Sequence, residues 1–388
     1  MSKQLGLYIH IPFCKQKCAY CDFCSFESTD LERTKYVDYL LKEMELYHDK
    51  YGRLSFDTIF IGGGTPTVLR LNEMTRIVEG LNKYFDCTYV EEFSVESNPG
   101  TVTLDLLKGY RELGINRISM GLQATQNDLL KTLGRIHTYE TFCSSFELIR
   151  EAGFENVNID LMYGLPNQNE EQWVETLKRI VKLEPEHISA YSLKVEEGTP
   201  FEKMYERNEL TLPSEEQDRR NHHYAIDYLK SKGYKQYEIS NFSKEEHECK
   251  HNLIYWRCQP YIGLGLAAHG YFDSTRYGNT AEISSYYSSL DQNKIPVEIV
   301  ENINENDKIF ETFMLGLRLN EGVSYAHLKH GFSRDVHRLL KDELRKLIDE
   351  DLLEEVDESI RFTRFGMDIS NSVLVRILEV LEKESAVC

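Results

Sequence analysis

The chain has 388 residues, 41% hydrophobic and 28% charged, so it holds enough core material for about two folded domains and is not a disordered chain. Its 45 Lys and Arg against 64 Asp and Glu leave a net charge of −19, which argues against non-specific binding to nucleic acid or anionic membranes. No apolar run approaches the roughly 20 residues of a membrane span. The opening MSKQLGLYIHIPF has neither the apolar core nor the cleavage site of a signal peptide, so a cytoplasmic protein, not integral to a membrane, is expected.

Short apolar runs rich in β-branched residues predict strands at 7–11, 58–61, 93–95, 117–120, 157–161 and 187–192. Between them lie helical patterns: Val37, Leu40, Leu41, Met44 and Tyr47 share one face, as do Trp173, Leu177, Ile180 and Val181. The intervals are long enough for crossover helices, so six β-then-α units predict an α/β fold with a parallel sheet, open or curled into a partial barrel. After residue 300 the pattern changes. Phe310, Phe313, Met314 and Leu317 share a helical face, and so do Val336, Leu339, Leu340, Leu344 and Leu347. A hairpin follows, 352–356 and 360–363 about a turn at 357–359, giving a C-terminal helical winged-helix-like domain. Such modules often bind DNA, but residues 301–388 hold 12 Lys and Arg against 19 Asp and Glu, the wrong sign for a nucleic-acid face. The expected domains are 1–240, a connecting segment 241–300, and 301–388.

Four of the nine cysteines, Cys14, Cys18, Cys21 and Cys24, fall within eleven residues. In a reducing compartment such crowding reads as a metal or cluster site. Cys14, Cys18 and Cys21 have the spacing C-x3-C-x2-C on a loop just after the first strand. A loop this short can wrap three thiolates around one face of a cube-shaped [4Fe–4S] cluster. Electron-transfer clusters use four cysteines, so three leave one iron open to an exogenous ligand. The alternative is a structural zinc knot that includes Cys24, although the usual paired-knuckle spacing is absent.

Preceded by YIHIPF, this cysteine pattern resembles the radical S-adenosylmethionine (SAM) superfamily. Within it, the chain resembles the coproporphyrinogen-III-dehydrogenase-like group, and most nearly its haem chaperone branch, over essentially its whole length. The resemblance implies a partial (β/α)6 radical SAM barrel carrying the winged-helix-like domain. It also implies a [4Fe–4S] cluster on Cys14, Cys18 and Cys21, with SAM chelating the fourth iron. The Cys21-Asp22-Phe23 sequence is the form usual in the chaperones, whereas the dehydrogenases carry C-x-C; Cys24 is one position displaced and is expected not to be a ligand. Only 13 residues precede Cys14, where the dehydrogenases have a longer segment that helps enclose substrate.

In a parallel α/β layout ligands bind where strands end. The second strand runs into Gly62-Gly63-Gly64-Thr65-Pro66, which lets a backbone approach a ligand closely and lacks the Gly-Lys-Ser/Thr of a phosphate loop. Glu96, Gln123 and Asp160 stand at other strand ends, with Arg135 just beyond Gln123. Carboxylates there can accept from ribose hydroxyls or oppose a sulfonium, and Arg can fork onto a carboxylate. The resemblance assigns Tyr8, Gly63, Gly64, Thr65, Glu96, Gln123, Arg135 and Asp160 to SAM, places Tyr20 beside the adenine, and assigns no catalytic side chain.

Residues 247–258 read HECKHNLIYWRC. A zinc set of His247, Cys249, His251 and Cys258 fits no familiar spacing. The pattern from His251 to Trp256 resembles the haem-binding signature of the chaperone branch, with neutral His251 as a candidate axial ligand and aromatic faces beside it. Lys250 and Arg257 are candidate partners for the propionates. Gly263-x-Gly265-x-x-Ala268 matches a dinucleotide fingerprint loosely and reads as a tight backbone turn.

Three functions follow. The first is a haem chaperone with haem as cargo and an apo haem protein, respiratory in kind, as acceptor. The second is SAM-dependent radical decarboxylation of coproporphyrinogen III, for which the SAM constellation speaks. The third is a zinc-stabilised interaction protein, which leaves the strand-end residues without a purpose. The first is the expectation; SAM turnover and a homodimer stay open on the sequence.

Overall fold

The computed structural model describes residues 4–385. The predicted units appear as β1 (Gly6–Ile11), α1 (Asp30–Tyr51), β2 (Thr58–Gly63), α2 (Leu71–Tyr84), β3 (Glu92–Ser97), α3 (Leu104–Glu112) and β4 (Arg117–Gln123). They continue through α4 (Asn127–Thr132), α5 (Tyr139–Glu151), β5 (Val157–Tyr163), α6 (Glu170–Val181), β6 (His187–Ser192), α7 (Pro200–Glu206) and α8 (Glu215–Ser231). Each of the six strands predicted before residue 200 lies inside an observed one. The helices start where local chemistry stops the strand: Thr29 accepts from Glu32 N at 3.3 Å while the Glu32 carboxylate accepts from Thr29 N at 2.7 Å, a reciprocal cap for α1.

Strands β1 to β6 are parallel and adjacent in chain order, the sheet of a partial (β/α)6 barrel. Period-two alternation gives the sheet two unlike faces. Leu7, Ile9, Ile11, Ile59, Ile61, Val95, Ile118, Met120, Ile159 and Leu161 belong to one buried cluster with the helices. The alternate positions are polar: Tyr8 and His10 on β1, Glu96 on β3, Arg117 and Ser119 on β4, Asn158 and Asp160 on β5. The apolar half of the pattern builds the fold and the polar half lines the barrel.

Residues 235–302 extend this sheet at both margins. β7 (Lys235–Gln236) and β8 (Asn241–Ser243) add antiparallel strands beside β6. After α9 (Lys250–Trp256), β9 (Tyr261–Leu264) runs parallel to β1, followed by antiparallel β10 (His269–Phe272), β11 (Thr275–Asn279) and, past α10 (Ile283–Asp291), β12 (Val297–Asn302). Strands β7 to β11 are two to five residues long and lack β-branched runs, so no periodicity announces them. The glycine pattern at 263–268 is a packing device. Gly265 has φ +100, and a Cβ there would lie 2.5 Å from the Tyr36 hydroxyl and 2.6 Å from the His10 carbonyl. Buried Glu43 of α1 fixes the junction, accepting from Gly265 N (2.8 Å), Asn279 Nδ2 (2.7 Å) and Tyr286 Oη (2.6 Å).

The C-terminal domain has its own core, built on α11 (Glu305–Gly316), β13 (Val323–Ser324), α12 (Tyr325–His330), α13 (Val336–Asp349), β14 (Leu353–Val356), β15 (Ser359–Phe362), α14 (Arg364–Asp368) and α15 (Ser370–Ser385). The predicted hairpin is β14–β15, turned by Asp357 and Glu358 in left-handed conformations (φ 48 and 62). With β13 it makes the three-stranded wing. The domain docks on α8, where Arg364 forks onto Asp227 at 3.0 Å twice and His223 Nε2 lies 3.0 Å from Asp368. No helix among the described residues is long and apolar enough to cross a membrane.

Candidate functional site

The cysteine loop leaves the carboxyl end of β1 and is closed at its base. Cys14 N donates to the Phe26 carbonyl and Phe26 N to the Pro12 carbonyl, both at 3.0 Å. A second tether, Ala19 N to the Leu133 carbonyl at 3.0 Å, holds the middle of the loop against the turn after α4. Cys14, Cys18 and Cys21 are free thiols, each partly exposed. Burial pushes the Cys21 thiol up to about 11, with Cys18 and Cys14 adding to the effect, so thiolate formation there calls for a bound cation. No three His, Cys, Asp or Glu side chains among the described residues are placed to hold one metal ion. That does not suit a four-cysteine zinc knot or the set His247, Cys249, His251 and Cys258. Soft thiolates spread around a loop suit a polynuclear iron–sulfur cluster, which takes each on a different iron. The Cys24 thiol lies 3.8 Å from the Ala281 carbonyl.

The strand-end residues brace this loop. Thr65 Oγ1 is 3.5 Å from Cys14 Sγ, and Arg135 Nη1 donates to Cys18 Sγ at 3.6 Å. Asn98 joins the two: its Nδ2 donates to Thr65 Oγ1 at 2.7 Å, and its Oδ1 accepts from Arg135 Nη2 at 2.6 Å. Arg135 also donates to the Gly121 carbonyl. Sequence reasoning missed Asn98. Its one signal was its place in FSVESNPG, two residues past Glu96 at a strand end.

Gly63 and Gly64 are glycine for a reason internal to the chain. Gly63 has φ +109, and a Cβ would lie 2.5 Å from the His10 ring; at Gly64 it would lie 2.6 Å from the Phe13 carbonyl oxygen. The run is pressed against β1 and the root of the cysteine loop, with Gly64 N donating to Ile11 O (2.8 Å) and Thr65 N to Phe13 O (2.7 Å).

Inside the barrel, Glu96 accepts from Gly63 N at 2.9 Å, and burial together with the charge of Asp160 pushes its carboxyl up to about 8. Asp160 accepts from Asn158 Nδ2 at 2.7 Å and Ser119 Oγ at 3.4 Å, and burial raises it too. Two neighbouring carboxyls, both raised by desolvation, form a place where a cationic ligand is favoured. Gln123, at φ 75, accepts from Tyr191 Oη at 2.9 Å. Tyr8 Oη lies 3.0 Å from His10 Nδ1, whose Nε2 meets the Cys24 carbonyl at 2.8 Å. Tyr20 is half-buried, its ring 6.5 Å from that of Phe201, and it feels the charges of Arg135, Cys18 and Cys21. One wall of a cavity of about 780 Å³ is the cysteine loop; the others are the ends of β5 and β6, α8 and the C-terminal domain.

The structure places His251 away from the cysteine loop. It lies on α9 at the opposite, amino end of the barrel, 1% exposed and stacked on Phe60 at 5.3 Å. Its Nδ1 is 2.7 Å from Thr58 Oγ1 and its Nε2 2.7 Å from Tyr255 Oη, so neither nitrogen has a lone pair or proton to spare for an iron. Burial, helped by the charge of Arg117, lowers its pKa to about 3. The Glu92 carboxylate caps the helix, accepting from Lys250 N (2.9 Å), His251 N (3.1 Å) and Cys249 Sγ (3.4 Å). The two flanking cations are paired within the chain: Lys250 with Glu91, and Arg257 forked onto Glu321 at 2.8 and 3.0 Å. The motif's polar atoms are spent on the fold.

Two family models match the chain: the radical SAM superfamily at residues 8–180 and the HemN C-terminal domain at residues 303–369. The chain is 35% identical to the heme chaperone HemW of Bacillus subtilis (strain 168), over 94% of this chain and 97% of that one. It is 33% identical to the heme chaperone HemW of Escherichia coli (strain K12), over 95% and 97% respectively. Among solved structures, coproporphyrinogen III oxidase (HemN) from Escherichia coli, described as a radical SAM enzyme, superposes with a TM-score of 0.83 at 24% identity, covering 97% of this chain and 90% of that one, a likeness of fold.

Proposed function

The chain belongs to the radical SAM superfamily and, within it, to the family of the heme chaperone HemW; from that premise we propose that it binds haem and delivers it to an apo haem protein. The observation that carries this reading is the large cavity whose wall is the cysteine loop, which gives a flat cofactor-sized cargo a place beside the metal site.

In this reading Cys14, Cys18 and Cys21 hold a [4Fe–4S] cluster, and Tyr8, Tyr20, Gly63, Gly64, Thr65, Glu96, Gln123, Arg135 and Asp160 line the SAM pocket. When bound, cluster and SAM together supply a low-potential one-electron centre with a sulfonium ligand. The chain's own residues hold that arrangement. Asn98 couples Thr65 and Arg135, so two of the three cysteines are oriented by one side chain. Glu96 and Asp160 provide the negative field for a cationic ligand, and ligand binding draws a proton off Glu96. A protein working in the cytoplasm fits the charge and the free thiols, and its acceptor can itself be membrane-bound.

A second reading, oxidative decarboxylation of coproporphyrinogen III, draws on the complete set of SAM positions. One experiment separates the two. Anaerobically reconstituted protein receives SAM, a strong reductant and coproporphyrinogen III, and 5′-deoxyadenosine and carbon dioxide are followed; haem-loaded protein is then mixed with an apo haem protein. Haem transfer without decarboxylation is the expected result. Coupled formation of 5′-deoxyadenosine and carbon dioxide overturns the carrier reading.

A further inference from the structure

We propose that the haem cargo sits in the cavity beside the cysteine loop, with His222 of α8 as axial iron ligand and Arg318 as partner of a propionate. This rests on the haem-carrying reading and places its cargo at residues outside the HNLIYW motif.

His222 is the one histidine on the wall of that cavity. Its Nδ1 lies 3.1 Å from Tyr163 Oη, which fixes the ring, while its Nε2 makes no hydrogen bond among the described residues. A metal-binding imidazole has this arrangement: one nitrogen oriented by a neighbour, the other open. Burial, aided by the neighbouring His223, holds its pKa down at about 4, which keeps the ring in the neutral ligating form at physiological pH. Of the buried histidines, His137 also has a nitrogen without a hydrogen bond among the described residues, but it does not line this cavity. His187 sits between Asn158 Oδ1 (2.6 Å) and Tyr237 Oη (2.8 Å), and His10 and His251 are each engaged at both nitrogens.

Arg318 lines the same cavity just past α11. Its guanidinium has no ion pair among the described residues, its Nε is buried without a partner, and burial lowers its pKa. A half-buried cation offset only by the nearby charge of Glu238 is costly, and an incoming carboxylate relieves it. Arg219, 3.7 Å from Asp368, is a second cation on the wall. The cavity's volume lies within the roughly 300–1,000 Å³ usual for small-molecule and cofactor sites. Phe23, 62% exposed, presents an aromatic face on the cluster side, and Leu193 and Met367 add apolar surface. Because Cys21 lines the same space, cargo there lies against the cluster loop.

The test is haem titration of the full chain, followed by absorption and electron paramagnetic resonance, with circular dichroism and iron content as controls on folding. His222→Ala is expected to weaken haem binding at least tenfold and change the axial-ligand signature, with added imidazole restoring it. Arg318→Glu is expected to weaken binding several-fold with the signature unchanged. His251→Ala is expected to keep affinity and signature while melting earlier. Folded H222A protein with the parent's affinity and spectrum overturns the proposal, as does folded H251A protein that has lost them. Should H222A not fold, R318E decides, since unchanged affinity there also overturns it. An intact chain that takes up no haem at all sinks the carrier reading itself, whereas intact binding with unaffected H222A sinks only this site.

Discussion

The two ends of one parallel sheet carry similar residue types to opposite purposes. At the amino end, Glu92, Cys249, His251, Thr58 and Tyr255 satisfy one another: the carboxylate caps a helix, and the imidazole bridges two hydroxyls. At the carboxyl end, Cys14, Cys18, Cys21, Glu96, Asp160 and His222 keep thiols, carboxyls or a ring nitrogen that the fold does not use up. The difference teaches that a buried polar cluster is read by what it leaves over. A closed set stabilises, because opening it strands buried donors and acceptors. An incomplete set waits for a ligand.

Substitutions should therefore separate cleanly between the ends. The largest effect is expected from Cys18→Ala, which should abolish stoichiometric iron and sulfide after anaerobic reconstitution, while Cys24→Ala retains both; equal iron in the two variants would break the contrast. At the other end, His251→Ala strands the Thr58 and Tyr255 hydroxyls and opens a void beside Phe60. A loss on the order of 2–4 kcal/mol is expected in denaturant unfolding, with iron content unchanged.

The pH dependence sharpens the comparison. Glu96, with its carboxyl near 8 when folded and about 4.3 when unfolded, binds more protons in the folded state between those values. Its protonation supports stability fully below about pH 4 and is lost as pH rises through 8, so ligand-free protein should weaken over that window. Buried Glu43 and Glu238, both near 7, act in the same direction. Glu96→Gln should remove its share, raising stability at pH 8 by on the order of 2 kcal/mol and leaving pH 4 nearly unchanged. The same variant should weaken SAM binding in calorimetry, and no loss there would count against the cationic-ligand reading. The smallest effect is expected at the domain seam. Arg364→Ala, removing a largely exposed fork onto Asp227, should cost under about 1 kcal/mol and leave haem uptake alone.

The six parallel strands and the C-terminal hairpin were legible because their signals are local: β-branched runs, helical spacing, and a turn. The cysteine triplet was legible because a loop confines its three thiols to one stretch of chain. The margins of the sheet were not, since β7 to β11 are two to five residues long and owe their place to partners far away in sequence. Asn98 was missed for a similar reason. Its importance lies in reaching both Thr65 and Arg135, which no spacing along the chain encodes.

The HNLIYW motif marks the boundary between the two kinds of knowledge. By itself, the sequence determined the fold, the cysteine triplet and the family, because each rests on residues near one another or on a pattern repeated along the chain. Tertiary structure alone decided which histidine has a nitrogen to offer. Residue type fixes what an imidazole can do; whether its lone pair is already engaged depends on Thr58 and Tyr255 for His251, and on Tyr163 for His222. Those partners are brought together only by the closing of the sheet and the docking of the helices upon it.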